Sequence, residues 1–106
     1  METILVFSTL PDQEQAQKLA QLLVHQKLAA CVNILPSATS VYRWQGEVET
    51  ANETIILIKT TIARYPDLEA AIKAQHPYEL PEIIAVPVVA GLPAYLAWVA
   101  SETNSR

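Results

Sequence analysis

The side chains best able to do chemistry gather at one turn, where His76 is followed by Pro77, Tyr78, Glu79 and, past a second proline, Glu82. Imidazole is a common metal ligand and suits copper, so His76 is the expected metal-binding residue, with Cu2+ or another divalent cation as the cofactor. A histidine that ends a helix can equally cap the last carbonyls and complement the negative end of the helix dipole. The chain has no His-x3-His, Cys-x2-Cys or His/Glu cluster, so a tight metal site is not encoded locally. His25 has no partner in the sequence and reads as a helix-face residue.

Other candidates stand apart from that turn. Lys59 follows an apolar strand run and could receive an anionic ligand there or simply pack. Tyr42 and Trp44 could wall a cleft or fill an interface. Cys31, between Ala30 and Val32, could be a thiolate ligand or a redox sensor, but reads more simply as a small buried apolar residue. The candidate ligand-binding set is therefore Lys59, Tyr78, Glu79, Glu82, Trp44 and Cys31. No nucleophile elbow, phosphate loop or triad is present, and only two glycines could shape such loops, so catalysis is not expected.

The elements that must position these residues follow from periodicity. Residues 3–9 carry the consecutive apolar run Ile4-Leu5-Val6-Phe7, the mark of a strand buried on both faces. Residues 13–26 carry Ala16, Leu19, Ala20 and Leu23 at helical spacing, with Asp12 as N-cap and Gln15 as its capping-box partner. Residues 28–35 and 41–44 read as strand, Gln45-Gly46 as a two-residue reversal, and 47–60 as the return. Each arm of that hairpin would reach on the order of 50 Å, longer than a small domain, and its tip is polar, so it must protrude or meet a neighbour. A helix over 62–75 places Tyr65, Leu68 and Ile72 on one stripe, with Thr61 as cap, His76-Pro77 as stop, and an irregular start at Pro66. A strand over 82–89 and a helix over 93–101 complete the chain.

This order predicts an α+β fold, a ferredoxin-like βαββαβ arrangement with an extra C-terminal helix and a long hairpin between strands two and three. Strands one and three are expected to be central and parallel. Strands two and four, which carry Pro36 and Pro87, are expected at the edges.

The bulk composition narrows the function classes. A chain of 106 residues, 51% hydrophobic and 17% charged, makes one domain over 1–106 with a real core. So apolar a small chain is expected to cover some of its surface with another copy. The net charge is −4 and the seven lysines and arginines are scattered, which argues against a nucleic-acid partner. A lone cysteine and an N-terminus without a signal-like or spanning segment point to the cytoplasm and to no membrane partner.

Several segments resemble the CutA family of divalent-cation tolerance proteins, in that family's order: Leu28-Ala29-Ala30-Cys31-Val32-Asn33-Ile34, Tyr42-Arg43-Trp44-Gln45-Gly46-Glu47-Val48-Glu49, Lys59-Thr60-Thr61, His76-Pro77-Tyr78-Glu79-Leu80-Pro81-Glu82-Ile83 and Tyr95-Leu96-Ala97-Trp98-Val99. The resemblance covers nearly the whole chain. It implies a homotrimer whose hairpins pair between subunits, an association with tolerance to divalent metals, copper especially, and a PII-like architecture with ligand clefts between subunits. Copper sites in the family resemble a cysteine at the end of strand one joined by a histidine pair before Pro-Tyr. Here Ser8 and Gln75 stand at two of those positions, which removes the soft thiolate that favours Cu(I). Two functional expectations follow, metal binding linked to tolerance and PII-like binding of a small molecule. The second would bring Lys59 of one subunit near Tyr78 or Glu79 of another.

Overall fold

An unbroken apolar run calls for a central place in a sheet, and β1 (Thr3–Leu10) has one among four strands, with Ile4 and Val6 buried on one face and Leu5 and Phe7 half-buried on the other. The structure, a computed structural model, describes residues 2–104. After β1 come α1 (Gln13–His25), β2 (Cys31–Trp44), β3 (Glu47–Thr61), a 3-10 turn (Ile62–Arg64), α2 (Tyr65–Gln75), β4 (Ile84–Pro87) and α3 (Pro93–Glu102). The sheet order is β2-β3-β1-β4, which puts β1 and β3 inside and the two proline-bearing strands at the edges.

All neighbouring strands are antiparallel, which overturns the expectation that strands one and three run parallel. The reason lies in the connections. The α1 crossover returns the chain so that β2 points the same way as β1, and the tight turn after β2 then reverses β3 against both. β1 pairs with β3 from Thr3↔Thr61 to Leu10↔Thr54. Ile4, Val6 and Leu10 join Ile56 and Ile58 in one buried cluster with Ala16, Leu19 and Leu23 of α1 and Leu68 and Ile72 of α2. Side chains alternate across a strand, so Leu5, Phe7, Leu57 and Lys59 lie on the opposite face.

The helices start and stop for local reasons. The Asp12 carboxylate accepts from the Gln15 backbone N–H at 2.8 Å and from the Gln15 side-chain amide at 3.0 Å. α1 gives way to Lys27 with φ 59°, and the next residues are a turn rather than the expected strand start. That turn drops Leu28 and Ala29 into the core, because the N–H groups of both bond to the Leu23 carbonyl. At α2 the 3-10 turn accounts for the irregular start and Pro66 sits in the first helical turn. Thr61 makes no capping bond, contrary to expectation. It is fully buried and pairs with Thr3 instead.

The long arms expected of the hairpin are present, and the polar interval between the two stretches of the first arm is itself strand. β2 runs through 36–40 by means of a bulge between Leu35 and Ala38, with Ser37 at φ 67°. Gln45 and Gly46, at φ 52° and 84°, make the reversal with both central residues left-handed, the geometry that matches strand twist. The arms account for the 44 Å long dimension of the molecule. β4 is shorter than expected and wholly exposed, and it ends at Pro87, which has no N–H to give a ladder. α3 contacts β1 and β3 and buries Val99 completely.

At fixed protein concentration in urea, Leu68→Ala should cost about 3 kcal/mol, since Leu68 is fully buried and truncation leaves a cavity. Gly46→Ala should cost only about 1 kcal/mol, because a Cβ there meets nothing within 4 Å and only the left-handed backbone is penalised. Equal losses in the two variants would contradict this assignment of core and turn.

Candidate functional site

The site begins at the end of α2. Pro77 biases the residue before it away from helix, and His76 turns extended at φ −79° and ψ 136°. Its ring then reaches back to the end of β1. Nε2 lies 2.7 Å from the Thr9 carbonyl oxygen, and Nδ1 accepts from the Tyr78 backbone N–H at 3.1 Å. A carbonyl can only accept and an amide N–H can only donate, so the Nε2–H tautomer satisfies both contacts at once. His76 thereby ties β1 to the turn after α2 and fixes the direction of that turn.

Tyr78 follows from this anchor. Its ring lies 4.8 Å from the His76 ring, centroid to centroid, and its hydroxyl donates to Glu53 Oε2 at 2.7 Å. Glu53, on β3, is only 8% exposed. Burial of the phenol, reinforced by the neighbouring Glu53 carboxylate, pushes Tyr78 well above the ordinary tyrosine value. The turn and the hairpin enclose a cavity of about 820 Å³, lined among others by Tyr42, Trp44, Glu53, Tyr78, Glu79 and Glu82. That volume lies within the range of small-molecule pockets. Among the described residues Arg43 is the one basic side chain on the wall, and its guanidinium also reaches the Gly46 carbonyl at 3.5 Å.

The structure thus brings together Trp44, Tyr78, Glu79 and Glu82 from the expected set, with His76 beside them as an anchor. It sets Lys59 and Cys31 apart. They are cross-strand partners on β3 and β2, and the Lys59 ammonium bonds the Asn33 side-chain oxygen and lies 4.0 Å from Cys31 Sγ. Glu53 escaped sequence reasoning because it sits in a polar stretch. The available signal was its place two residues before the apolar run that enters the core.

The residues present do not fit a metal ion held by one chain. Among the described residues no group of three histidine, cysteine or acidic side chains could hold one. Both His76 nitrogens are engaged within the chain. Ser8, in the strand-one position of the metal-site resemblance, is fully buried with a hydroxyl that meets no partner among the described residues. A second cavity, about 340 Å³ between α1 and β2, is lined by Gln21, Val24, His25, Val32 and Ile34 among others. It gathers no converging charges.

The sequence model of the family described as CutA1 divalent ion tolerance protein matches residues 4–102. The chain belongs to this family. It is 48% identical over 99 residues to the divalent-cation tolerance protein CutA of Thermus thermophilus, covering 93% of this chain and 96% of that protein. It is 42% identical over 99 residues to Protein CutA of Mus musculus, covering 93% of this chain but 56% of the longer mouse protein. The crystal structure of CutA1 from Oryza sativa superimposes with a TM-score of 0.96 at 40% identity, covering 100% of this chain and 97% of the other. The mixed α+β fold with one antiparallel sheet and three helices is therefore a CutA1 fold.

In this CutA1 chain the raised Tyr78 value makes stability depend on alkaline pH. The folded phenol holds its proton more tightly than the unfolded one, so the contribution is fully present below about pH 10. It is lost as pH climbs through the raised folded value. Chemical denaturation between about pH 9 and pH 12 should show wild type losing more stability than Tyr78→Phe. Parallel losses would place the alkaline sensitivity elsewhere, for instance at Tyr65, which burial and Glu69 also raise.

Proposed function

We propose that this CutA1 chain works by binding rather than by catalysis, as a cytoplasmic homotrimer of ferredoxin-like subunits in a PII-like assembly. In this reading it contributes to divalent-cation tolerance by holding a small polar molecule in the cleft beneath the hairpin. The observation that carries the reading is the 820 Å³ cavity itself, anchored by the His76 bridge and walled by aromatic rings and carboxylates.

The trimer is supported by the sheet face that α1 and α2 leave open. Leu5, Phe7 and Leu57 are half-buried there, and Ile84 and Val86, paired with Phe7 and Leu5, are 53% and 42% exposed. Exposed apolar area of this kind marks an interaction surface. Lys59, Asn33 and Cys31 belong to the same face and act there as polar contacts between copies. The hairpin end adds Val41 and Val48, at 67% and 63% exposure. Sedimentation at micromolar concentration should show a trimer that persists on dilution, and a stable monomer would refute the assembly.

The relatives' names concern divalent cations, so a second reading places copper at His76. It would require the ring to give up Thr9 or Tyr78. On our reading, a copper titration at neutral pH shows no tight site with one ion per chain, and His76→Ala leaves weak binding unchanged. Saturable binding lost in that variant would move the cation to this turn. Native mass spectrometry of trimer taken gently from cells tests the cleft itself. An organic mass travelling with the protein supports it, and metal alone refutes it.

A further inference from the structure

We propose that the cleft selects an organic cation, a small molecule bearing a primary ammonium or guanidinium group, with Glu53 as the residue that receives it. The inference rests on the cleft reading above and adds the charge of the occupant.

Glu53 is 8% exposed, and a carboxylate so far removed from water needs a compensating partner. It has only one. Tyr78 donates to Oε2, and no described residue donates to Oε1. The only ion pair among the described residues joins Arg64 to Asp67, far from this wall. Glu53 nevertheless lines the cavity, so its unfilled acceptor capacity can be met from that side. A neutral phenol softens the desolvation of a carboxylate without balancing its charge.

The rest of the wall favours the same sign. Glu79 and Glu82, both exposed, line the same cavity, so among the described residues the wall carries three carboxylates and one guanidinium, that of Arg43. The rings of Tyr42, Trp44 and Tyr78 line the same space, and an aromatic face attracts an organic cation through its quadrupole. A hydrated metal ion suits this wall poorly. It wants several oxygen or nitrogen ligands converging at short distance, and no such group exists among the described residues. An ammonium group on an apolar stem fits both halves of the lining, with its N–H donors on Glu53 and its stem along the rings.

Three four-carbon probes of matched shape decide the matter: 1,4-diaminobutane, 1,4-butanediol and succinate, each titrated calorimetrically into the intact protein at low salt. The expected result is saturable binding of the diamine alone. Glu53→Gln, which can keep the bond from Tyr78, should weaken it about tenfold or more, the loss typical of a charge-assisted hydrogen bond. Because that site is buried, the exposed pair Glu79→Gln and Glu82→Gln serves as a second variant, with a loss of a few-fold and no folding risk. Preference for succinate or the diol would overturn the cationic occupant while leaving a ligand cleft standing. No binding of any probe, or diamine binding unchanged in both variants, overturns the proposal outright. The mass spectrometry above judges the cleft separately.

Discussion

β3 is fifteen residues long and its central partner β1 only eight, so nearly half of the hairpin has no sheet to lie in. The ladder between them ends at Leu10↔Thr54. Beyond it β3 is covered by β2 alone, and the burial pattern changes at that point from alternating core positions to exposed ones. A two-stranded ribbon is at best marginally stable in water. The protruding half must therefore find support elsewhere, and the turn after α2 supplies part of it.

That support explains where the site is. The His76 bridge to Thr9 holds the turn at the end of β1, where the sheet stops and the ribbon begins. Tyr78 is then placed to meet Glu53, the residue just past the end of the ladder. The cavity is the space left between a turn fixed at one end and a ribbon that continues past it. Its walls are aromatic and acidic because both sides, the protruding half of the hairpin and the turn after α2, lie outside the apolar core.

Much of this was legible from the residues. The apolar runs on β1 and β3 identified the central strands, Pro36 and Pro87 the edges, and Gln45-Gly46 the reversal, since each reflects a local backbone or burial rule. Strand direction was not legible in the same way, for it depends on how a crossover and a hairpin combine. The bulge at Ser37 was hidden because a polar residue between strand segments looks the same whether the ladder breaks or absorbs one extra residue. His76 and Tyr78 declared themselves by type, and the whole of 76–82 was visible as a unit. Their partners were not. Thr9 contributes only a backbone carbonyl, and Glu53 is distant in sequence from Tyr78.

The same bulge bears on how copies of the chain can meet. β2 is an open edge with unpaired backbone groups, the kind of surface on which strands add without limit. Pro36 has no N–H to donate, and the extra residue in the bulge at Ser37 bends and twists the strand there. A straight partner strand cannot follow both halves of such an edge. Growth by successive strand addition along this edge is thereby disfavoured. One kinked edge strand thus spoils the template on which copies could stack into a fibre.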